Sequence, residues 1–317
     1  MSGFAIAVPC STSNLGSGFD AVGIALGGPH LLLRATPGGT GLRIARISGE
    51  GADRLPRDAT NRVVQAAHLA AEKAGRQPGD LRADIEIHSS IPLLRGLGSS
   101  AAAALAGALL ADRLLGGAVS EERVLEVAVG LEGHPDNVVP SLRGGAQVAI
   151  LDGGGRVISC QVAIGGPLQA AVFIPEAELE TKAARAVLPR SVSLGDAVHN
   201  LGRAALLVAA LQSGRLDLLG EAMDDRLHQP ARATLLPWLP SVMAAAREAG
   251  AAGAALSGAG TTVLALCPPG KAHDVSTAMR EAGLARNVPG RGEVLEVGVP
   301  GARVFLEEPA ARVSPLR

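Results

Sequence analysis

Regular spacing of apolar residues predicts helices and strands along most of the chain. Over residues 61–75 apolar positions recur every three or four residues, which predicts a helix. Residues 80–92 alternate between polar and apolar side chains, the pattern of a half-buried strand. An alanine-rich helix is predicted for residues 99–115, and another begins after Ser120, a residue type that caps helix N-termini. From residue 80 onward, the predicted order is therefore a strand, a glycine-containing loop and two helices.

Strands and helices are mixed in both halves of the chain. Strands are predicted for residues 4–11 and 31–36, and we expect residues 38–49 to continue them as a hairpin. Further strands are predicted within residues 144–162, 168–175, 251–260, 261–268 and 292–299, and further helices within residues 196–214, 239–250 and 271–283. Glycines cluster near residues 153–167, so we expect two domains of the α+β class, residues 1–155 and residues 156–317.

Composition and charge argue against several classes of function. The chain has 29 basic and 30 acidic side chains, 2% aromatic residues and no tyrosine, whereas nucleic-acid binders normally carry a basic surplus and aromatic stacking residues. The start of the chain lacks the pattern of a signal peptide, and Asp112 and Arg113 interrupt the apolar run after Ser100 too early for a membrane span. We therefore expect a cytoplasmic protein without nucleic-acid or membrane partners.

The loop between the predicted strand and the alanine-rich helix has the features of a phosphate site. Gly96 and Gly98 allow the backbone to approach a ligand closely, and the helix start offers unpaired N–H groups with a partial positive charge. The hydroxyl of Ser100 can face a phosphate oxygen or a cation. The loop has no lysine of the kind found in a Walker A loop, so the positive charge must come from elsewhere.

This loop, with the pattern P-x-x-x-G-L-G-S-S-A-A, resembles the phosphate loop of the GHMP small-molecule kinases. Residues 8–26, VPCSTSNLGSGFDAVGIAL, are similar to the first motif of that family, and residues 253–266 are similar to the third. Residues 8–26 and residues 131–145, LEGHPDNVVPSLRGG, look most like the homoserine kinase branch. Three motifs in the right order are a far more specific signal than any one of them.

The resemblance implies a two-domain GHMP kinase fold, with an N-terminal domain like the second domain of ribosomal protein S5 and a ferredoxin-like C-terminal domain. It implies transfer of a phosphoryl group from ATP, with Mg²⁺, to the hydroxyl of L-homoserine, a step of L-threonine biosynthesis. Because members are often dimers, it also implies a homodimer. A kinase for another small alcohol and an inactive nucleotide-binding protein are the two alternatives. The residues assigned to ATP by the resemblance are Pro92, Leu93, Leu94, Arg95, Gly96, Leu97, Gly98, Ser99, Ser100, Ala101 and Ala102.

The resemblance also assigns the catalytic residues and metal ligands. Ser100 and a glutamate eleven residues before Asn137, which is Glu126, are expected to hold Mg²⁺, with Glu132 as the alternative. Asn137 stands where some relatives have an aspartate, and an amide cannot accept a proton at neutral pH. We therefore expect catalysis by positioning and charge neutralisation, with Asp136 as the alternative base.

The expected substrate is an amino acid that carries a carboxylate, an ammonium group and a hydroxyl. Arg185 and Arg232 match the family positions and can bind a carboxylate in a bidentate manner. Asp20 can bind the ammonium group. The remaining expected substrate residues are Asn14 and Asn137 at the hydroxyl, and His134 and Thr181 along the pocket.

Overall fold

The computed structural model describes residues 2–306, which fold into two antiparallel-rich sheets covered by helices. The elements of the first half are β1 (Phe4–Asn14), β2 (Gly18–Pro37), β3 (Leu42–Gly49), α1 (Arg62–Lys73), β4 (Ala83–Ser89), α2 (Ser99–Leu114), α3 (Glu121–Glu132), α4 (Val138–Arg143), β5 (Ala146–Leu151) and β6 (Val157–Val162). The elements of the second half are β7 (Gln169–Pro175), α5 (Thr181–Ala186), α6 (Leu194–Ser213), α7 (Leu219–Ala222), α8 (Gln229–Ala233), α9 (Leu239–Glu248), β8 (Gly253–Leu256), β9 (Val263–Cys267), α10 (Ala272–Ala285), β10 (Gly290–Glu296) and β11 (Arg303–Leu306). The expected α+β class is confirmed.

The first sheet is organised around the 20-residue strand β2. One edge of β2 pairs with β1, while β4 and β5 share its other edge, and β6 and β11 extend the sheet through β5 and β1. The expected hairpin at residues 38–49 was wrong, because β3 pairs with β4 in parallel, with Ile44 opposite Ile85. The edge of β2 that a hairpin would use is already occupied by β4, so β3 adds to the sheet beyond β4.

Helices α1 and α2 pack closely against each other over this sheet because the α2 side chains are small. Nine residues of α2 are buried, and seven of them are alanine or glycine. A Cβ on Gly107 would lie 2.1 Å from the backbone oxygen of Val63 in α1, so only glycine allows this approach. The alanine-rich composition of residues 99–115 is therefore explained by helix packing.

The second sheet has the order β10-β7-β9-β8, with every pairing antiparallel, and α9 and α10 cover one face. The larger core cluster contains apolar residues of both halves, such as Ile6 and Ile24 from the first and Val172 and Leu207 from the second, while a smaller cluster around Phe173 lies within the second half. None of the helices formed by residues 2–306 has the length and apolar character needed to cross a membrane.

The expected division at residues 155 and 156 stays a prediction. Strand β6 lies beyond that point in the sequence yet pairs with β5, and β11 pairs with β1, so both strands belong to the first sheet. The chain therefore returns to the first sheet after completing the second. Residues 307–317 of the expected second domain lie outside the described residues.

Candidate active site

The glycine loop joins β4 to the N-terminus of α2 and is held from two sides. The N–H of Ser11 donates to the carbonyl of Leu97 (3.2 Å), and the hydroxyl of Ser257 donates to the carbonyl of Gly96 (2.7 Å). Gly96 and Gly98 have φ of 75° and 72°, and a Cβ on Gly96 would lie 2.1 Å from the Ser257 carbonyl oxygen. Both glycines are thus required by backbone conformation and by close contact. The fixed loop leaves the first amides of α2 available to an anion.

Ser100 and Glu132 form the oxygen-donor pair of the site. The hydroxyl of Ser100, in the first turn of α2, donates to Oε1 of Glu132, at the end of α3 (2.6 Å). Both side chains line the same cavity as the glycine loop. Hard oxygen donors of this kind suit a magnesium ion that also contacts phosphates, so the residues present fit the metal that a kinase requires.

Glu126 does not take part in this pair. Its carboxylate accepts a hydrogen bond from Nζ of Lys73 (2.5 Å) and lines a different cavity, beside Arg123 and Arg143. Residues six positions apart on a helix are separated by about 9 Å along the axis and about 240° around it, so Glu126 and Glu132 cannot both face Ser100. The geometry does not support the expected pairing of Ser100 with Glu126, and it favours the alternative, Glu132.

Asn137 lies at the start of α4 with both ends of its amide engaged. Its Nδ2 donates to the hydroxyl of Ser13 (2.8 Å), and its Oδ1 accepts from the hydroxyl of Ser11 (3.0 Å). Ser11 in turn accepts from the hydroxyl of Ser141 (2.9 Å). This buried network fixes the orientation of the amide at the floor of the cavity.

Asp136, the alternative base, is engaged by its neighbour His134. Nδ1 of His134 donates to Oδ1 of Asp136 (2.5 Å), and the carboxylate is buried. Burial lowers the pKa of His134, but the hydrogen bond and charge of Asp136 raise it, and the net pKa is above its ordinary value. The hydrogen bond from His134 therefore occupies one oxygen of the Asp136 carboxylate.

Asp20 and Arg185 close one end of the cavity as a bidentate ion pair, with Nη2–Oδ1 and Nη1–Oδ2 distances of 2.7 and 3.0 Å. Asn14 braces this end, since its Oδ1 accepts from the Asp20 N–H (3.0 Å) and its Nδ2 donates to the Gly258 carbonyl (2.8 Å). Asn14 and Asp20 have φ of 70° and 55°, a left-handed conformation that Asn and Asp tolerate best among residues with a side chain.

Arg232 is the largest fully buried side chain among the described residues, with an exposed fraction of 1%. Its Nη1 donates to the Gly258 carbonyl (2.9 Å), its Nε donates to the Ala184 carbonyl (3.4 Å), and its guanidinium lies 5.4 Å from the centre of the Phe19 ring. Within residues 2–306 no carboxylate forms an ion pair with it. Burial, and secondly the charge of Arg185, lower its pKa to about 10. The charges of Asp20, Asp136 and Asp225 raise the pKa of Arg232 and only partly oppose this. A buried cation without an ion-pair partner is costly, and an anionic ligand would offset that cost.

The structure brings most of the predicted site residues to one cavity of about 80 Å³. All seven expected substrate residues line it: Asn14, Asp20, His134, Asn137, Thr181, Arg185 and Arg232. Eight of the expected ATP residues also line it: Pro92, Leu94, Arg95, Gly96, Leu97, Gly98, Ser99 and Ser100. Leu93 lies at a neighbouring cavity, while Ala101 and Ala102 are buried inside α2.

A neighbouring cavity of about 380 Å³ was not predicted from the sequence motifs. It shares Leu94, Ser99 and Ser100 with the first cavity, and its remaining lining is mostly apolar. Pro56 and Asn61 lie on the connection that leads into α1, far from the glycine loop in sequence. The Asn61 side chain accepts from the Val63 N–H (3.0 Å) as a helix cap, and this local role is the only signal that the sequence offered.

Comparison with known proteins identifies the class first. Residues 61–145 match the GHMP kinases N terminal domain, and residues 207–285 match the GHMP kinases C terminal family. With the glycine loop set between two sheets, the fold is the two-domain fold of the GHMP kinases, as expected.

Individual relatives with high sequence identity define the family within this class. The homoserine kinase of Deinococcus radiodurans is 48% identical over 264 residues, which are 82% of this chain and 83% of the relative. That of Moorella thermoacetica is 42% identical over 277 residues, 87% and 91% of the two chains. The crystal structure of homoserine kinase from Cytophaga hutchinsonii superposes with a TM-score of 0.85 at 31% identity, covering 96% and 98% of the two chains. The chain belongs to the homoserine kinase family.

Proposed function

We propose that the protein transfers the γ-phosphoryl group of ATP to the side-chain hydroxyl of L-homoserine, forming O-phospho-L-homoserine for L-threonine biosynthesis. Membership of the homoserine kinase family supports the reaction. The observation that carries the substrate class is Arg232, a buried guanidinium without a carboxylate partner in residues 2–306, in the cavity that contains the glycine loop. One end of the cavity suits a carboxylate and the other suits a phosphate.

The Asp20–Arg185 pair suits recognition of the whole zwitterion. A free amino acid brings one ammonium group and one carboxylate, so it can separate the pair without leaving a net charge behind. We propose that the ammonium group binds Asp20 while the carboxylate joins Arg185 and Arg232. A substrate without a carboxylate would leave Arg185 and Arg232, which both lie within 6 Å of the centre of the Phe19 ring, without the anion proposed to bind them.

The two cavities suit the two parts of ATP. We assign the phosphates to the loop of residues 92–100 and the first turn of α2, where backbone N–H groups and the helix dipole favour anions. We assign the base to the apolar cavity near Pro56 and Asn61, which opens onto Ser99 and Ser100. An apolar cavity beside a phosphate site is the usual arrangement for a nucleotide.

We propose that Ser100 and Glu132 hold the magnesium ion that accompanies ATP, because their oxygen atoms lie 2.6 Å apart on the wall of the phosphate cavity. When bound, magnesium neutralises charge on the phosphate oxygens. Asn137 and Ser13 orient the acceptor hydroxyl, and neither can accept its proton at neutral pH. With Asp136 engaged by His134, the proton passes to the transferred phosphoryl group, as a loose transition state permits.

The test is ADP release by the purified protein with ATP, Mg²⁺ and each of four alcohols: L-homoserine, L-homoserinol, L-serine and mevalonate. We expect turnover with homoserine, with O-phosphohomoserine identified by mass spectrometry, and a marked loss with homoserinol, which lacks the carboxylate. Turnover of mevalonate but not homoserine would support the kinase for another alcohol. ATP binding without any turnover would support the inactive nucleotide-binding protein.

The cytoplasmic location and the homodimer belong to the same proposal. Cell fractionation and light scattering on the purified protein test them. Neither nucleic acid nor a membrane is among the proposed partners.

A further inference from the structure

A buried histidine, His228, contacts the guanidinium of Arg232 and has no part in the reaction proposed above. It precedes α8, four residues before Arg232, and its side chain is completely buried. Its Nδ1 lies 3.1 Å from Nη1 of Arg232, and its Nε2 lies 2.8 Å from the carbonyl oxygen of Gly16. The Phe19 ring stacks on the imidazole, with centroids 4.9 Å apart and an angle of 22° between the planes. The histidine therefore contacts the guanidinium on one side and the β1–β2 turn on the other.

The partners determine which ring nitrogen carries the proton. A guanidinium can only donate hydrogen bonds, so Nδ1 of His228 must accept with its lone pair. A carbonyl oxygen can only accept, so Nε2 must carry the hydrogen that bonds to Gly16. The ring is thus neutral, in a single tautomer. Burial lowers the pKa of His228 to about 4, and the charge of Asp225 only partly opposes this.

The backbone around His228 is held rigidly. Oδ2 of Asp225 accepts from the N–H groups of His228 (3.1 Å) and Gln229 (2.7 Å), and Nδ2 of Asn200 donates to its other oxygen (2.8 Å). On the opposite side, Gly16 packs closely against the backbone that follows α7, since a Cβ on Gly16 would lie 1.8 Å from the Met223 carbonyl oxygen. The imidazole is therefore a fixed acceptor.

We propose that His228 is a positioning residue for the known reaction of the family, which fixes the guanidinium of Arg232 for the substrate carboxylate through the Nδ1 lone pair. This inference rests on the proposed function, in which Arg232 binds that carboxylate. The bonds to His228, Gly258 and Ala184 use Nη1 and Nε, and within residues 2–306 they leave Nη2 for a ligand. A neutral acceptor orients the guanidinium without neutralising it, so its charge stays available to the carboxylate. A carboxylate at this position would compete with the substrate.

Two substitutions separate the accepting role of His228 from its packing role. In His228→Asn the amide oxygen can stand near the position of Nδ1 and still accept from Arg232. In His228→Gln the amide reaches the position of Nε2, which keeps the bond to Gly16 and loses the acceptor for Arg232. We expect His228→Gln to raise the KM for homoserine by about tenfold or more, with a smaller change in kcat and an unchanged KM for ATP. We expect His228→Asn to keep the KM for homoserine within about threefold of the wild type.

A double-mutant cycle with Arg232→Gln completes the test. In that background His228→Gln should add little further loss, because the partner is already absent. The ratio of kcat/KM for homoserine to that for homoserinol should fall in His228→Gln. Equal effects of the two His228 variants, or full additivity with Arg232→Gln, would overturn the positioning role. Failure of the wild type to phosphorylate homoserine would instead overturn the proposed function.

A measurement on the folded wild type covers the case in which the variants do not fold. ¹⁵N chemical shifts of the His228 ring should show one protonated nitrogen, Nε2, and one unprotonated nitrogen, Nδ1, at neutral pH. A proton on Nδ1, or a charged ring, would contradict the proposal.

Discussion

Glu126 and Glu132 lie on the same helix, but their side chains have different orientations and different partners. Glu132 ends α3 and accepts from the Ser100 hydroxyl, whereas Glu126 forms an exposed ion pair with Lys73. Counting residues from Asn137 selects Glu126 from the sequence, but the count takes no account of the rotation of α3. At the residue scale, the partners that a side chain can contact depend on the direction in which it points rather than on its position in a motif.

The two glutamates provide a matched pair for mutagenesis. We expect Glu132→Gln to lower kcat on the order of 100-fold and to raise the Mg²⁺ concentration needed for half-maximal rate, because one anionic donor to the cation is lost. We expect Glu126→Gln to change kcat by less than about twofold, since exposed ion pairs contribute little. Steady-state kinetics across a Mg²⁺ titration measures both. The reverse order of effects would return the metal role to Glu126.

The pair of His134 and Asp136 should make stability depend on pH in a defined direction. Although burial opposes it, the Asp136 hydrogen bond holds the folded-state pKa of His134 above its ordinary value. The contribution of His134 to the free energy of unfolding is therefore complete below its unfolded-state pKa of about 6.5, and it is lost as the pH rises through its folded-state pKa. We expect His134→Gln to lower the unfolding free energy more at pH 6 than at pH 9.

Urea denaturation at the two pH values measures this difference. His273→Gln, which removes an exposed imidazole, is the control and should show no such difference. Asp136→Asn should abolish the difference, because the carboxylate is its cause. A loss in His134→Gln that grows with pH would contradict the assignment.

At the scale of elements, the α1–α2 pair positions the phosphate loop. Helix α2 begins at the loop, and its small side chains allow α1 to pack against it. Asn61, which caps the N-terminus of α1, and Arg62, its first residue, line the apolar cavity. The spacing of these two helices therefore sets the distance between the phosphate site and the proposed base site.

Gly107 and Gly130 test this packing with the same substitution in two helices. Gly107→Ala places a Cβ 2.1 Å from the Val63 carbonyl oxygen and should destabilise the fold by about 1–3 kcal/mol. Gly130→Ala, in α3, meets nothing within 4 Å and should stabilise it by up to about 1 kcal/mol through helix propensity. Denaturant unfolding measures both changes. Similar effects at both positions would indicate that helix propensity outweighs packing at Gly107.

At the scale of the whole molecule, the site lies where the two sheets meet and depends on both. The carbonyl of Gly258, in the loop between β8 and β9 of the second sheet, accepts from Asn14 at the end of β1, and the hydroxyls of Thr12 and Ser257 lie 2.8 Å apart. The larger core cluster also includes residues of both halves, such as Ile6, Val172 and Leu207. Strand β11 returns to β1 after the second sheet is complete.

We therefore expect the full chain to unfold in one cooperative transition, because the larger core cluster is built from apolar residues of both halves. Calorimetry should give a calorimetric enthalpy equal to the van't Hoff enthalpy. A fragment of residues 1–165 should lack the near-ultraviolet circular dichroism of a packed core. Two separate transitions, or a cooperatively folded fragment, would refute the idea of a shared core.

Residues whose function depends on local conformation were predictable from the sequence. Gly96 and Gly98 could be predicted because a left-handed backbone and a close contact both require glycine. Ser120 could be predicted because the start of a helix needs a hydrogen-bond acceptor. The arginines and Asp20 were found by motif, and the structure brings them to one cavity. Residues 38–49 were predicted correctly as a strand but with the wrong partner, since a strand's pattern does not say which edge is free.

The sequence by itself therefore determined most of the longer helices and strands and the glycine positions of the loop before α2, because these depend on neighbours within a few positions. The tertiary structure alone decided that Glu132 faces Ser100, that Pro56 and Asn61 line a cavity together with the same serine, and that His228 accepts from Arg232. Each of these outcomes depends on the rotation of a helix, or on contacts between segments far apart in sequence. Local spacing carries no information about either.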